Sequence, residues 1–223
     1  MSTEIIEGDC IEVMKKMDAG SIDCMVTDPP YGIAYHGRQA ERLKKIANDD
    51  VFDPEWQLAW LKASFRVLKD GSHIYVFCSE GHVGDFRNTI TEAGFKIMRM
   101  LIWEKKHHGL GDMIGGYLPM TELILFAHKP GEERALEREG QRNIIEAAGI
   151  RKMEFHRTEK PLGVLRPLIL NSSKEGETVL DPFAGSGSLG VTAKEENRNA
   201  VLIELESEYV EVIKGRLAQE GLF

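Results

Sequence analysis

The chain predicts an α/β domain built on a mostly parallel sheet with helices on both faces. Three observations carry this expectation. Apolar runs of strand length alternate with helical stretches along most of the chain, the pattern of βαβ units. Two short words, Asp28-Pro29-Pro30-Tyr31 and Asp181-Pro182-Phe183-Ala184-Gly185-Ser186-Gly187, each follow such an apolar run. Ligands in open α/β sheets sit at the carboxyl ends of strands, so both words can face one crevice.

Residues 3–6 read as a short strand, and 10–17 as a short helix with Ile11, Val13, Met14 and Met17 on its apolar side. Residues 22–27 form a buried strand that ends at Asp28. Residues 32–51 are polar and aperiodic, a long loop or lid. Pro54 opens a helix, since proline suits a first helical position, and Gly71 closes it. Residues 72–78 form a strand, 80–93 a helix, and 95–103 and 122–127 two strands around a Gly-rich loop at 109–116. The charged stretch 130–155 holds a short helix near 132–142. A helix at 161–170, a strand at 178–180, a helix at 189–196, a strand at 200–203 and a helix at 207–217 complete the pattern.

With 223 residues, the chain suffices for one large domain and a substantial core. Its apolar fraction of 42% and charged fraction of 29% describe an ordinary globular mix. No apolar stretch approaches the ~20 residues that span a bilayer, and Met1-Ser2-Thr3-Glu4 lacks the marks of a signal peptide. Three dispersed cysteines, Cys10, Cys24 and Cys78, argue against a disulfide framework and for a cytoplasmic location. The net charge of −8 excludes a protein that binds nucleic acid with its whole surface. A local basic cleft remains open to Arg38, Arg42, Lys44 and Lys45, to Lys105-Lys106-His107-His108, or to the cations of 129–166. The seven histidines show no metal-ligand spacing, so no metal is expected.

Gly185-Ser186-Gly187-Ser188-Leu189-Gly190 satisfies G-x-G-x-x-G, follows a strand and opens a helix. Glu204 ends the next strand, where an acid can meet a ribose hydroxyl. A dinucleotide-binding dehydrogenase is the natural competitor, but only one strand and one helix follow this unit. A ligand with adenosine and no pyrophosphate fits better, and S-adenosylmethionine is the obvious one.

Asp28-Pro29-Pro30-Tyr31 is a stiff strand-end word. Its prolines fix their φ angles and lack N–H donors. The Asp28 carboxylate and the Pro29 carbonyl suit the two N–H bonds of an exocyclic amine, and Tyr31 offers a ring for stacking. Such acceptors aim the amine lone pair at an electrophile, which is catalysis by positioning and electrostatics.

In this order the words resemble the amino-methylating DNA methyltransferases of the β class, with the catalytic word first and the cofactor word last. The resemblance covers nearly the whole chain and implies a class I S-adenosylmethionine-dependent methyltransferase fold with a seven-stranded sheet. It implies methyl transfer to adenine N6 of double-stranded DNA, with cytosine N4 as the alternative, on a base flipped out of the duplex. It assigns catalysis to Asp28, Pro29, Pro30 and Tyr31. Gly8-Asp9-Cys10 is similar to an N-terminal cofactor element, and His156-Arg157-Thr158-Glu159-Lys160-Pro161 to one that meets the methionine end of the cofactor. Cofactor contacts are thereby implied for Asp9, Cys10, Asp28, Thr158, Lys160, Asp181, Phe183, Ala184, Gly185, Ser186, Gly187 and Glu204. Relatives of this class often dimerise, so a homodimer is expected. Segments 32–50 and 129–155 are the candidate DNA-recognition stretches. A non-catalytic cofactor-binding subunit is the rival from another functional class.

Overall fold

A computed structural model describes residues 1–31, 52–106, 117–149 and 159–218. Its eight strands are β1 (Thr3–Glu7), β2 (Ile22–Thr27), β3 (Leu68–Cys78), β4 (Lys96–Lys105), β5 (Thr121–His128), β6 (Ile144–Ala147), β7 (Thr178–Asp181) and β8 (Asn199–Glu204). They form one sheet in the order β1-β8-β7-β2-β3-β5-β4-β6. Every neighbouring pair is parallel except the two made by β5, which runs antiparallel between β3 and β4.

Helices α1 (Cys10–Lys16), α2 (Pro54–Val67) and α3 (Val83–Glu92) cover one face, and α4 (Leu162–Ser172), α5 (Ser188–Glu195) and α6 (Ser207–Ala218) the other. Strand β2 shows why both faces are apolar: all six of its residues are buried. Met25 joins Met14, Trp60, Ile74, Phe86 and Leu180 on one side. Cys24 and Val26 join Phe77, Val164, Leu189 and Leu202 on the other. The continuous apolar run is thus the mark of a strand covered twice. Two helix starts, those of α1 and α2, follow side-chain caps. Asp9 accepts from Ile11 and Glu12 N–H, and Asp53 from Glu55 and Trp56 N–H ahead of Pro54.

The structure corrects the sequence reading in three places. The sheet has eight strands rather than seven. The added strand, β6, pairs with β4 from Ile102–Ile144 to Lys105–Ala147 and closes that edge of the sheet. No helix forms over 132–142. That charged stretch has no apolar stripe to bury, so hydrogen bonds organise it instead: Arg134 reaches the Asp23 and Ser172 carbonyls and the Glu177 carboxylate. Finally, α2 ends at Val67, and Gly71 lies inside β3 with a left-handed φ of 80°.

Candidate active site

The two words meet directly. Parallel pairing of Cys24 with Val179 and Met25 with Leu180 brings the ends of β2 and β7 side by side. The Thr27 hydroxyl then donates to Asp181 Oδ1 at 2.8 Å, across 154 residues of chain. Gly8 N–H donates to the Glu204 carbonyl at 2.9 Å, so Asp9 and Cys10 join the same edge. Antiparallel β5 starts where its neighbours end, and it delivers Glu122 to this edge as well.

The Asp28–Tyr31 word is held from three sides. Lys160 donates to Asp28 Oδ2 at 2.5 Å, and the Tyr31 hydroxyl donates to Asp28 Oδ1. Gln57 of α2, buried, donates to the Pro30 carbonyl at 2.8 Å and accepts from Trp60 Nε1 at 2.7 Å. Tyr31 also packs edge-on against Phe86 at 6.1 Å. Gln57 was not foreseen. No local pattern singles it out, because α2 also carries Glu55, Lys62, Ser64 and Arg66. The tryptophans Trp56 and Trp60 serve the site indirectly by packing on Phe183 at 5.6 and 5.3 Å.

The glycine loop is fixed by acid and base. Gly185 N–H donates to Glu204 Oε2 at 2.7 Å, and Glu206 N–H to Oε1 at 2.9 Å. Gly187 caps α5 with a φ of 77°, and a Cβ there would lie 2.9 Å from the Ile213 side chain. Arg216 of α6 donates to the Ser186 carbonyl at 2.8 Å and pairs with Glu159 at 2.8 Å, both side chains nearly buried. Arg216 was also missed. It lies 30 residues from the loop it holds, and no local pattern marks it. Ala184 is buried, and its N–H donates to the Ile203 carbonyl at 3.0 Å.

Electrostatics at this edge are unusual. Burial pushes the Asp181 carboxyl up to about 7. The Phe183 N–H and Thr27 hydroxyl oppose that rise, and the Asp28 and Glu204 carboxylates add to it. Burial also raises Glu204, against the pull of its backbone donors. Cys10 is pushed up to about 12 by burial and by Asp9, so its thiol is no nucleophile at neutral pH. A pocket edge carrying Asp28, Asp181 and Glu204 suits a ligand that brings positive charge and hydroxyl donors. A sulfonium with an α-amino group and a ribose has that chemistry.

Of the residues expected at the site, Asp9, Cys10, Asp28, Pro29, Pro30, Tyr31, Lys160, Asp181, Phe183, Ala184, Gly185, Ser186, Gly187 and Glu204 lie on or beside this strand edge. Thr158 falls outside the described residues, as do 32–50, Arg38, Arg42, Lys44, Lys45, His107 and His108. Among the described cations of the expected basic cleft, Lys105 pairs with Glu122 at 2.7 Å, Arg166 with Glu195 and Glu196, and Lys129 with Asp70 at 3.0 Å.

Comparison with known proteins agrees with this geometry. The N6/N4 family model described as DNA methylase matches residues 22–215. The type II methyltransferase M2.DpnII of Streptococcus pneumoniae is 28% identical over 97% of this chain and 90% of its own length. The DNA adenine methyltransferase YhdJ of Escherichia coli K12 is 30% identical over 96% of this chain and 82% of its own. Among solved structures, an M1.HpyAVI–SAM complex superposes with a TM-score of 0.74 at 23% identity, covering 96% of this chain and 99% of that one. The cytosine-N4-specific PvuII DNA methyltransferase gives 0.79 at 17% identity over 100% and 89%. These likenesses show the class I methyltransferase fold.

Proposed function

The chain belongs to the N6/N4 DNA methylase family, and from that premise we propose that it moves a methyl group from S-adenosylmethionine to adenine N6 in duplex DNA. The observation that carries this reading is the Thr27–Asp181 bond, which sets the catalytic word against the cofactor loop.

When bound, the cofactor supplies an electrophilic methyl on a sulfonium. Glu204 and the loop from Asp181 to Gly187 would hold it, with Asp9 and Cys10 on the adenosine side and Lys160 on the methionine side; Thr158 lies outside the described residues. Asp28 accepts one N–H of the flipped base's amine and the Pro29 carbonyl accepts the other, which turns the nitrogen lone pair towards the methyl carbon. Gln57 keeps the Pro30 peptide fixed while this happens. Tyr31 gives up its bond to Asp28 Oδ1 and stacks on the base. The methyl group would pass to the amine with the C–S electrons remaining on sulfur, and the amine proton would leave to solvent.

DNA contacts fall to 32–50 and to the part of 129–155 that follows β6, because β6 runs towards the site edge whereas residues near Arg134 bind the opposite edge. The protein works in the cytoplasm as a homodimer. Exposed Ile144, opposite Ile102 in the β4–β6 pair, and exposed Met100, two residues before Ile102 on β4, support such an interface, which light scattering in solution would check. Among the described residues no helix is long and apolar enough to cross a membrane, and no cluster of metal-binding side chains occurs.

The test uses methyl-labelled S-adenosylmethionine and mixed genomic DNA, digested to nucleosides and identified by mass. Labelled N6-methyladenine is the expected product. Labelled N4-methylcytosine would overturn the base assignment, and no label would overturn the reaction.

Asp181 supplies a second check. Its carboxyl holds a proton up to about 7 in the folded protein, and a cationic ligand favours the ionised form. Cofactor affinity should therefore rise about tenfold between pH 6 and pH 8. Asp181→Asn should bind more weakly at pH 8 and lose the pH dependence. Calorimetric titration at both pH values would reject the assignment if the wild type showed a flat profile.

A further inference from the structure

The reading of Asp28 as acceptor of the base amine leaves unexplained what sets the aim of its carboxylate. We propose that Glu122 is a positioning residue for methyl transfer: clamped between Lys105 and Lys160, it fixes the Lys160 ammonium against one oxygen of Asp28 and so directs the other oxygen at the amine.

The geometry is a chain of alternating charge. Lys105 Nζ lies 2.7 Å from Glu122 Oε1, Lys160 Nζ 3.3 Å from Glu122 Oε2, and Lys160 Nζ 2.5 Å from Asp28 Oδ2. Each oxygen of Glu122 serves a different lysine. Aromatic rings flank both cations, with Lys160 5.0 Å from the Phe77 centroid and Lys105 5.2 Å from that of Trp103. The Lys160 side chain is only 11% exposed. A nearly buried ammonium needs counter-charge. With Asp28 as its only carboxylate, Lys160 would draw Asp28 towards itself; Glu122 shares that pull from the other side. The clamp comes from strands β4 and β5, where Trp103 lies opposite Glu122.

Among the described residues, the charged groups facing Lys160 are Asp28 at the end of β2 and Glu122 on β5, with Lys105 of β4 behind Glu122. Asp181 of β7 and Cys78 of β3 face Asp28 in turn. Burial favours the neutral amine of Lys160, but the Asp28 and Glu122 carboxylates outweigh it and hold the group above its ordinary value. Removing the Glu122 charge therefore lets Lys160 lose its proton at lower pH.

Glu122→Gln should lower kcat about 10- to 100-fold, the effect of a misdirected acceptor, and leave the S-adenosylmethionine dissociation constant within about twofold. The alkaline limb of the kcat profile should move to lower pH. The Lys160 side-chain nitrogen resonance, followed without DNA, should titrate at lower pH by the same displacement. A fall in rate with both titrations unmoved would mean a structural role only, and an unchanged rate would remove the role altogether. Failure of the wild type to methylate DNA would instead strike the assigned function, while the Lys160 titration would still decide the coupling. Should Glu122→Gln not fold, Glu122→Asp keeps the charge and withdraws the carboxylate. Its kcat should fall with the alkaline limb in place, and an unchanged kcat would overturn the proposal.

Discussion

Asp28→Ala should reduce methyl transfer by about 10²- to 10³-fold or more, the scale set by loss of one preorganised polar group at a reacting centre. Cofactor affinity should stay within about threefold, a change near 0.7 kcal/mol. The asymmetry follows from the layout. Asp28 stands at the end of β2, whereas the loop proposed to bind the cofactor is fixed by Glu204 and Arg216 from other elements. Lys160 keeps Glu122 as a partner, so the variant does not strand an unpaired ammonium. Asp28→Asn retains an acceptor oxygen without the charge and should fall between the wild type and alanine. Single-turnover transfer and calorimetric cofactor binding, measured on the same preparations, separate the two roles. Loss of cofactor binding in Asp28→Ala would make Asp28 a cofactor residue and shift the catalytic burden to the proline carbonyls.

Gly71→Ala should cost about 3–5 kcal/mol of folding stability, a large value for one methyl group. Two effects combine. A non-glycine residue at the observed φ of 80° is strained. The added Cβ would also sit 1.8 Å from the Glu132 carbonyl oxygen and 2.9 Å from its carbon. Those are backbone atoms, so relief requires moving the whole segment. That segment is tied down: Gly71 N–H donates to the Lys129 carbonyl at 3.0 Å, Lys129 N–H to that of Ser72 at 2.9 Å, and Arg134 anchors its far end. Urea unfolding would measure the loss. A change under about 1 kcal/mol, the scale of an ordinary surface substitution, would show that residues 129–134 give way easily.

What the sequence disclosed was local. Asp28-Pro29-Pro30-Tyr31 and the Gly185–Gly187 loop were legible because each needs unusual residues in consecutive positions after an apolar run. The class of fold followed from the alternation of strand and helix. Partnerships between distant segments were not legible. Gln57, Glu122 and Arg216 are ordinary polar residues in their own neighbourhoods, and only the sheet order brings them to the site. Strand β6 escaped notice because Ile144-Ile145 is an apolar run of only two residues in a charged stretch, and its pairing with β4 supplies what the short run lacks. The helix expected near 132–142 rested on charge alone; without an apolar stripe, local propensity did not prevail.

The position of β1 bears on how the protein is made. It is an edge strand, and its neighbour is β8, almost 200 residues later. Contacts across such separations form slowly, because a long loop must close before they are rewarded. On the ribosome, β1 emerges well before β8 and waits for residues 199–204 before it can pair. Gly8, Asp9 and Cys10 take their place beside Glu204 at that same moment. A nascent chain therefore carries no assembled active site until residues 199–204 have been translated, and methylation capacity appears in one step rather than accumulating with chain length.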